Sequence, residues 1–202
     1  MKKLILITVP VMILISCGSG GSKKQSGEKR LESMENKYDV NLVTVDPGHF
    51  HAALVQKTMY PQVSPVVHVY APDGPDVQQH LERIGSYNSR SDNPTSWNEI
   101  VYKGPDFFEK MIGENTGNVV VLSGNNRKKA EYITRSIGAG LNVLADKPMI
   151  ISPDDFPMLE QAFGTAIGKG VLLYDIMTER FEVTTILQKL LSQKGEVFGK
   201  LM

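Results

Sequence analysis

"AGLNVLADKPMIIS", residues Ala139–Ser152, runs from the end of one structural element through a second to the threshold of a third. Gly140 is the residue type that closes a helix in a left-handed turn. Leu141–Asp146 then brings its apolar residues nearly consecutively, as in a strand covered on both faces. Lys147-Pro148 ends that strand, because proline has no N–H to give a neighbouring chain. Pro153, with Asp154 and Asp155 behind it, reads as a helix start. Proline is tolerated in a first turn, and carboxylates favour its positive end. Helix, buried strand, loop, helix is the repeating unit of a parallel α/β sheet.

The same unit recurs on both sides. Strand-like runs lie at Val40–Val45, Val66–Ala71, Asn118–Ser123, Leu141–Asp146 and Val171–Asp175, with a weaker one at Ile100–Tyr102. Helical patterns fall between them at Phe50–Met59, Pro75–Ile84, Pro105–Ile112, Arg127–Ile137 and Pro153–Ile167. Alternation of this kind implies right-handed crossovers. It predicts a Rossmann-like, doubly wound parallel α/β sheet over residues 38–175. Gly85–Asn98 is a polar connection of unusual length, and its Trp97 is expected to pin the loop to the core. Gly195–Met202 reads as a turn followed by the first residues of a strand with nothing to pair. Residues 176–202 are therefore expected to begin a truncated α+β domain.

The chain opens with an address. Lys2 and Lys3 precede an apolar run, Leu4–Ile15, about half the ~20 residues a spanning helix needs. Leu14-Ile15-Ser16-Cys17 then resembles a lipobox, which implies a signal peptide over residues 1–16 and lipidation of Cys17. Cys17 is the one cysteine in the sequence, so neither an internal disulfide nor a cysteine zinc motif is available. Residues 17–37 have the composition of a flexible tether. The expected location is a bacterial membrane, reached through the lipid anchor alone and facing the periplasm. Lys and Arg total 22 against 22 Asp and Glu, so no basic surplus points to nucleic acid.

With its flanking strand and helix patterns, the Ala139–Ser152 stretch resembles the G-x-H-V-L-x-E-K-P signature of the Gfo/Idh/MocA family (glucose–fructose oxidoreductase, inositol dehydrogenase and rhizopine catabolism). The resemblance extends over Val40–Leu201 and includes Arg180 and the Gly195–Gly199 pair. It implies a two-domain sugar oxidoreductase using NAD or NADP, with Lys147 beside the reacting hydroxyl. There a cation would stabilise a developing alkoxide. Asp146 stands in place of the family's usual glutamate. The resemblance also implies that the family's acid–base histidine lies in the second domain. The chain alone is then expected to be inactive, and any homo-oligomer would form through that domain.

The family's first strand leads into G-x-G-x-x-G, whose bare backbone and following helix cradle a pyrophosphate. Here the aligned residues are Asp46-Pro47-Gly48-His49-Phe50-His51, keeping only the middle glycine. Asp46 puts a carboxylate near the expected phosphate path. By this alignment the cofactor-binding candidates are Gly48, His49, Phe50, Asp73 (for ribose), Ser123, Asn125, Asp146 and Pro148, with Lys147 catalytic. The expected substrate is a sugar or sugar derivative, and a retaining glycosidase cycle through bound cofactor is a related possibility.

Two other readings stay open at this point. One is a non-enzymatic saccharide-binding lipoprotein on a Rossmann scaffold. The other is a metal-dependent hydrolase using Asp46, His49 and His51, since His-x-His can converge on one ion from extended backbone. The favoured assignment includes no metal, because His68 and His80 fall in a strand and on a helix.

Overall fold

The computed structural model describes residues 37–199. The expected signal peptide, Cys17, nearly all of the tether and residues 200–202 lie outside the described residues. Six strands form one parallel sheet: β1 Leu42–Val45, β2 Val66–Ala71, β3 Asn98–Lys103, β4 Val119–Leu122, β5 Asn142–Asp146 and β6 Leu173–Ile176. Their order is β3-β2-β1-β4-β5-β6. Val43 pairs with His68 of β2 on one side and Val120 of β4 on the other. The chain direction across the sheet reverses there, which opens a crevice at the carboxyl ends of β1 and β4.

The consecutive apolar runs are explained by cover on both faces. Val43, Val45, Val120, Leu122 and Val143 pack on one side with Phe108, Ile133 and Ile137. Leu42, Val67 and Val121 pack on the other with Ala52, Ala53, Ile84 and Trp97. The helices supplying that cover are α1 His51–Leu54, α2 Pro75–Ser89, α3 Phe107–Glu114, α4 Lys129–Gly138 and α5 Phe156–Lys169. A 3-10 turn, Pro153–Asp155, leads into α5, and Ser152 caps it by accepting from the Asp154 N–H.

The structure corrects four sequence expectations. The helix expected over Phe50–Met59 is the four-residue α1. Beyond it, Gln56 and Lys57 donate to carbonyls three residues back, and the buried Trp97 indole donates to the Gln56 carbonyl at 2.6 Å. Trp97 thus pins its loop as expected, and it also takes the acceptor that a longer helix would use. Second, α2 runs to Ser89, into what reads as loop. Asn88 stabilises that last turn, accepting from the Thr95 hydroxyl and the Trp97 N–H while its amide donates to the Trp97 carbonyl. Third, the weak run Ile100–Tyr102 belongs to a full six-residue edge strand. Fourth, Gly195–Phe198 forms a short helix, α7, where a strand was expected.

Strand β3 carries an uncommon group. One carboxylate oxygen of Glu99 accepts from the Gln56 amide at 2.6 Å, and its other oxygen is buried without a partner. Burial pushes the Glu99 carboxyl up to about 7, against the pull of that hydrogen bond. After β6, a 3-10 turn Thr178–Phe181 leads to helix α6, Val183–Ser192, on which Leu187, Leu190 and Leu191 are exposed.

Candidate functional site

Three loops meet at the carboxyl edge of the sheet: Asp46–Phe50 after β1, Ser123–Lys128 after β4, and Lys147 onward after β5. The β1 loop turns sharply. Asp46 has φ +46°, a left-handed conformation that aspartate tolerates better than most side chains. The Gly48 N–H then donates back to the Asp46 carbonyl at 2.8 Å. The β4 loop presses directly against this turn. A Cβ on Gly124 would lie 2.0 Å from the Asp46 carbonyl oxygen and 2.6 Å from the Gly48 nitrogen. A Cβ on Gly48 would meet Gly124 Cα and an Asp76 carboxylate oxygen, each at 3.2 Å. These two glycines exist for loop-to-loop contact.

Asp46 does not join the two histidines. Its side chain is buried and bonded to Asn125. Burial raises its pKa, Asp76 adds to the rise, and Asn125 opposes it. The carboxylate that threatened a phosphate path is therefore turned inward. The histidines converge instead on Asp146, from the end of β5. His49 Nδ1 lies 2.6 Å from Asp146 Oδ2, and His51 Nδ1 lies 2.8 Å from Oδ1. Among the described residues, His49, His51 and Asp146 form the grouping able to hold a metal, so the trio with Asp46 is corrected. The contacts themselves have hydrogen-bond lengths. A carboxylate only accepts, so each Nδ1 carries the proton it shares.

Lys129 completes the frame. It is buried, and its ammonium donates to the Asp146 carbonyl at 2.9 Å and to Asn126 at 2.7 Å. Burial lowers its pKa while Asp146 opposes the fall. In sequence Lys129 looks like any polar residue opening a helix, and only the fold carries it under β5.

A cleft of about 320 Å³ opens over this frame, lined by Gly48, His49, Asp76, Asn125, Asn126 and Lys147 among others. Two smaller clefts adjoin it. One of about 160 Å³ runs past His49 and Phe50 to Arg83 on α2. Another of about 130 Å³ lies at the end of β2 beside Asp73. Asp76 lines all three.

The fold therefore brings Gly48, His49, Ser123, Asn125, Asp146, Lys147 and Pro148 to one cleft. Lys147 and Pro148 are exposed at its mouth. Ser123 is buried, and its hydroxyl donates to the His49 carbonyl at 2.8 Å, so it supports the loop. Asp146 likewise faces the histidines. Phe50 stands outside, in the neighbouring cleft, with the Arg83 guanidinium 5.9 Å from its ring centre. Asp73 lies at the end of β2, its carboxylate 2.7 Å from Lys103. Sequence reading missed Lys129 and Asp76, while Gly124 and Asn126 lie in the same Ser123–Asn126 stretch as the Asn125 candidate.

A six-stranded parallel sheet in this order, with a polar cleft at its switch point, defines a Rossmann-type fold. The chain matches no family profile and no curated protein sequence. Among solved structures, it is similar to a Parabacteroides merdae protein assigned as an oxidoreductase. Identity is 57%, covering 81% of this chain and 37% of that one, with a TM-score of 0.77. The fold also matches GenD2 of gentamicin A biosynthesis, solved with NAD, at 18% identity over 81% of this chain and 41% of that one, TM-score 0.57. Biliverdin reductase of Synechocystis, solved with biliverdin and NADP+, matches at 13% over 76% and 43%, TM-score 0.56. The chain thus spans about two fifths of the length of each. The match to an oxidoreductase at 57% identity agrees with the resemblance carried by Ala139–Ser152.

Proposed function

We propose that the protein is an oxidoreductase that exchanges hydride between NAD or NADP and a sugar or sugar derivative. The observation that carries this reading is the polar cleft at the switch point of the sheet, with Lys147 at its mouth. The residues present fit a dinucleotide, though not through a glycine cradle. Helix α1 is too short to offer a strong positive end, and the Gly48 N–H is already committed to Asp46. Asn125 and Asn126 instead supply side-chain donors in the cleft, while Arg83 supplies a cation in the adjoining cleft. When bound, the nicotinamide supplies the hydride acceptor. Lys147 would orient the substrate hydroxyl and stabilise negative charge growing on its oxygen.

Substrate contacts, any homo-oligomer and further catalytic groups belong to the second domain that residues 176–202 would begin. On this reading the chain by itself is inactive. Cys17 would carry the lipid that holds the protein on the periplasmic side of a membrane. A Cys17→Ser variant would then leave the membrane fraction for the soluble one, and unchanged fractionation would refute the anchor.

The central test uses full-length protein, examined by ultraviolet spectrum and mass for co-purifying dinucleotide, with metal analysis alongside. Bound NAD or NADP, or saturable binding on addition, is the expected result. No binding at millimolar supply would sink the oxidoreductase reading.

A further inference from the structure

The oxidoreductase reading gives Lys147 a role but leaves His49 and Asp146 without one beyond cofactor contact. Asp146 is held from every side. Both its oxygens accept from imidazoles, and its carbonyl accepts from the buried Lys129 ammonium. Its side chain is only 2% exposed, that of His51 is 5% exposed, and that of His49 is 38% exposed. One end of this His–Asp–His chain is therefore sealed in the protein, and the other opens on the cleft that also holds Lys147.

The chemistry of the arrangement is directional. The carboxylate fixes the Nδ1–H tautomer of His49, so the Nε2 lone pair faces away from Asp146 and makes no hydrogen bond among the described residues. When Nε2 takes a proton, the imidazolium formed has a buried counter-charge already bonded to it. His51 occupies the second carboxylate oxygen and keeps Asp146 from rotating away. A metal fits less well, because the donors are separated by hydrogen-bond distances and the cationic Lys129 lies against the same residue.

We infer that His49, in place of the second-domain histidine the resemblance implies, is the proton acceptor for the substrate hydroxyl, with Asp146 and His51 as positioning residues. This rests on the proposed oxidoreductase activity. In the forward step the substrate O–H bond breaks and its proton passes to His49 Nε2. The carbinol carbon gives up hydride, with the C–H electron pair, to the oxidised nicotinamide dinucleotide, and a carbonyl remains. Lys147 stabilises the oxygen in passing. The labour is divided because an ammonium offers positive charge and no lone pair, while a neutral imidazole offers the lone pair.

A direct tautomer readout carries the test, with the His49 signals assigned by their loss in His49→Ala. In full-length protein labelled with ¹⁵N-histidine, long-range proton–nitrogen NMR correlations read each tautomer directly. His49 is expected as the Nδ1–H form in the wild type and as a mixture in Asp146→Asn. Hydride transfer is then followed in a single turnover with NAD+ or NADP+ and a panel of aldohexoses and methyl hexosides. His49→Ala is expected to lose on the order of 100-fold in rate, restored in part by added imidazole. A wild-type Nε2–H tautomer would overturn the inference. So would a full rate in His49→Ala, or a lost rate that imidazole does not restore while dinucleotide binding persists, and both leave the oxidoreductase reading standing. No dinucleotide binding in the wild type would remove both.

Discussion

Replacing Gly124 with alanine tests the contact on which the whole site is built. The added Cβ would sit 2.0 Å from the Asp46 carbonyl oxygen, whereas ordinary contact begins near 3.4 Å. Both partners are backbone, so no flexible side chain can swing aside, and one loop must move by roughly 1 Å. Overpacking of this kind costs about 3 kcal/mol. At a urea dependence of about 2 kcal/mol per molar, the unfolding midpoint should fall by about 1.5 M. Gly85→Ala is the control, because Gly85 lies mid-helix in α2 and a Cβ there meets nothing within 4 Å. It should gain about 1 kcal/mol, moving the midpoint up by about 0.5 M. Equilibrium urea unfolding followed by circular dichroism reads both. The two variants shift in opposite directions if the loop packing is right. An unchanged midpoint in Gly124→Ala would refute the packing, and with it the fixed placement of Asp46, Gly48 and His49.

Two buried groups set opposing pH dependences. Glu99 keeps its proton to about 7 when folded and ionises from its ordinary 4.5 when unfolded, so stability falls as pH rises through that window. His80, buried beside Arg83, resists protonation down to about 4 against an ordinary 6.5, so stability falls as pH drops through that window. Each is worth about 3 kcal/mol at full extent, and between pH 4.5 and 6.5 the two slopes nearly cancel. Glu99→Gln should raise stability above pH 7 by about 2–3 kcal/mol and unmask the histidine slope, measured by urea unfolding from pH 4 to 8. An unchanged pH profile would show that Glu99 is not buried as a neutral acid. Asp76→Asn removes the carboxylate common to all three clefts and should tighten NAD+ binding about fivefold, near 1 kcal/mol for a solvent-screened charge. Calorimetry giving equal or weaker binding would place the dinucleotide elsewhere. Lys129→Met leaves the Asp146 carbonyl and Asn126 without their shared donor and should cost about 1–3 kcal/mol. A neutral result in urea unfolding would mean that this lysine does not brace the site.

The sequence by itself determined the architecture. Runs such as Val66–Ala71 and Leu141–Asp146 read as doubly covered strands because burial on both faces removes the polar alternation that a half-wet strand shows. Lys147-Pro148 then marked the edge where ligands bind, and the resemblance carried by that stretch pointed to an oxidoreductase. Helix lengths were less legible, because they were settled by distant partners. The Trp97 indole took the Gln56 carbonyl that α1 needed, and Asn88 supplied the bonds that let α2 continue. The site was legible as a set of residues and illegible as an arrangement. Nothing along the chain says that Asp46 turns inward to Asn125 while His49 and His51 reach a carboxylate 97 and 95 residues away. That pairing follows from β1 and β5 both flanking β4, which brings their carboxyl ends to the same edge, and from the bare Gly124, which lets the β1 loop settle against the β4 loop. Periodicity reports which residues are buried. Which buried charge meets which imidazole is decided by strand order and loop contact, and those exist only in the folded chain.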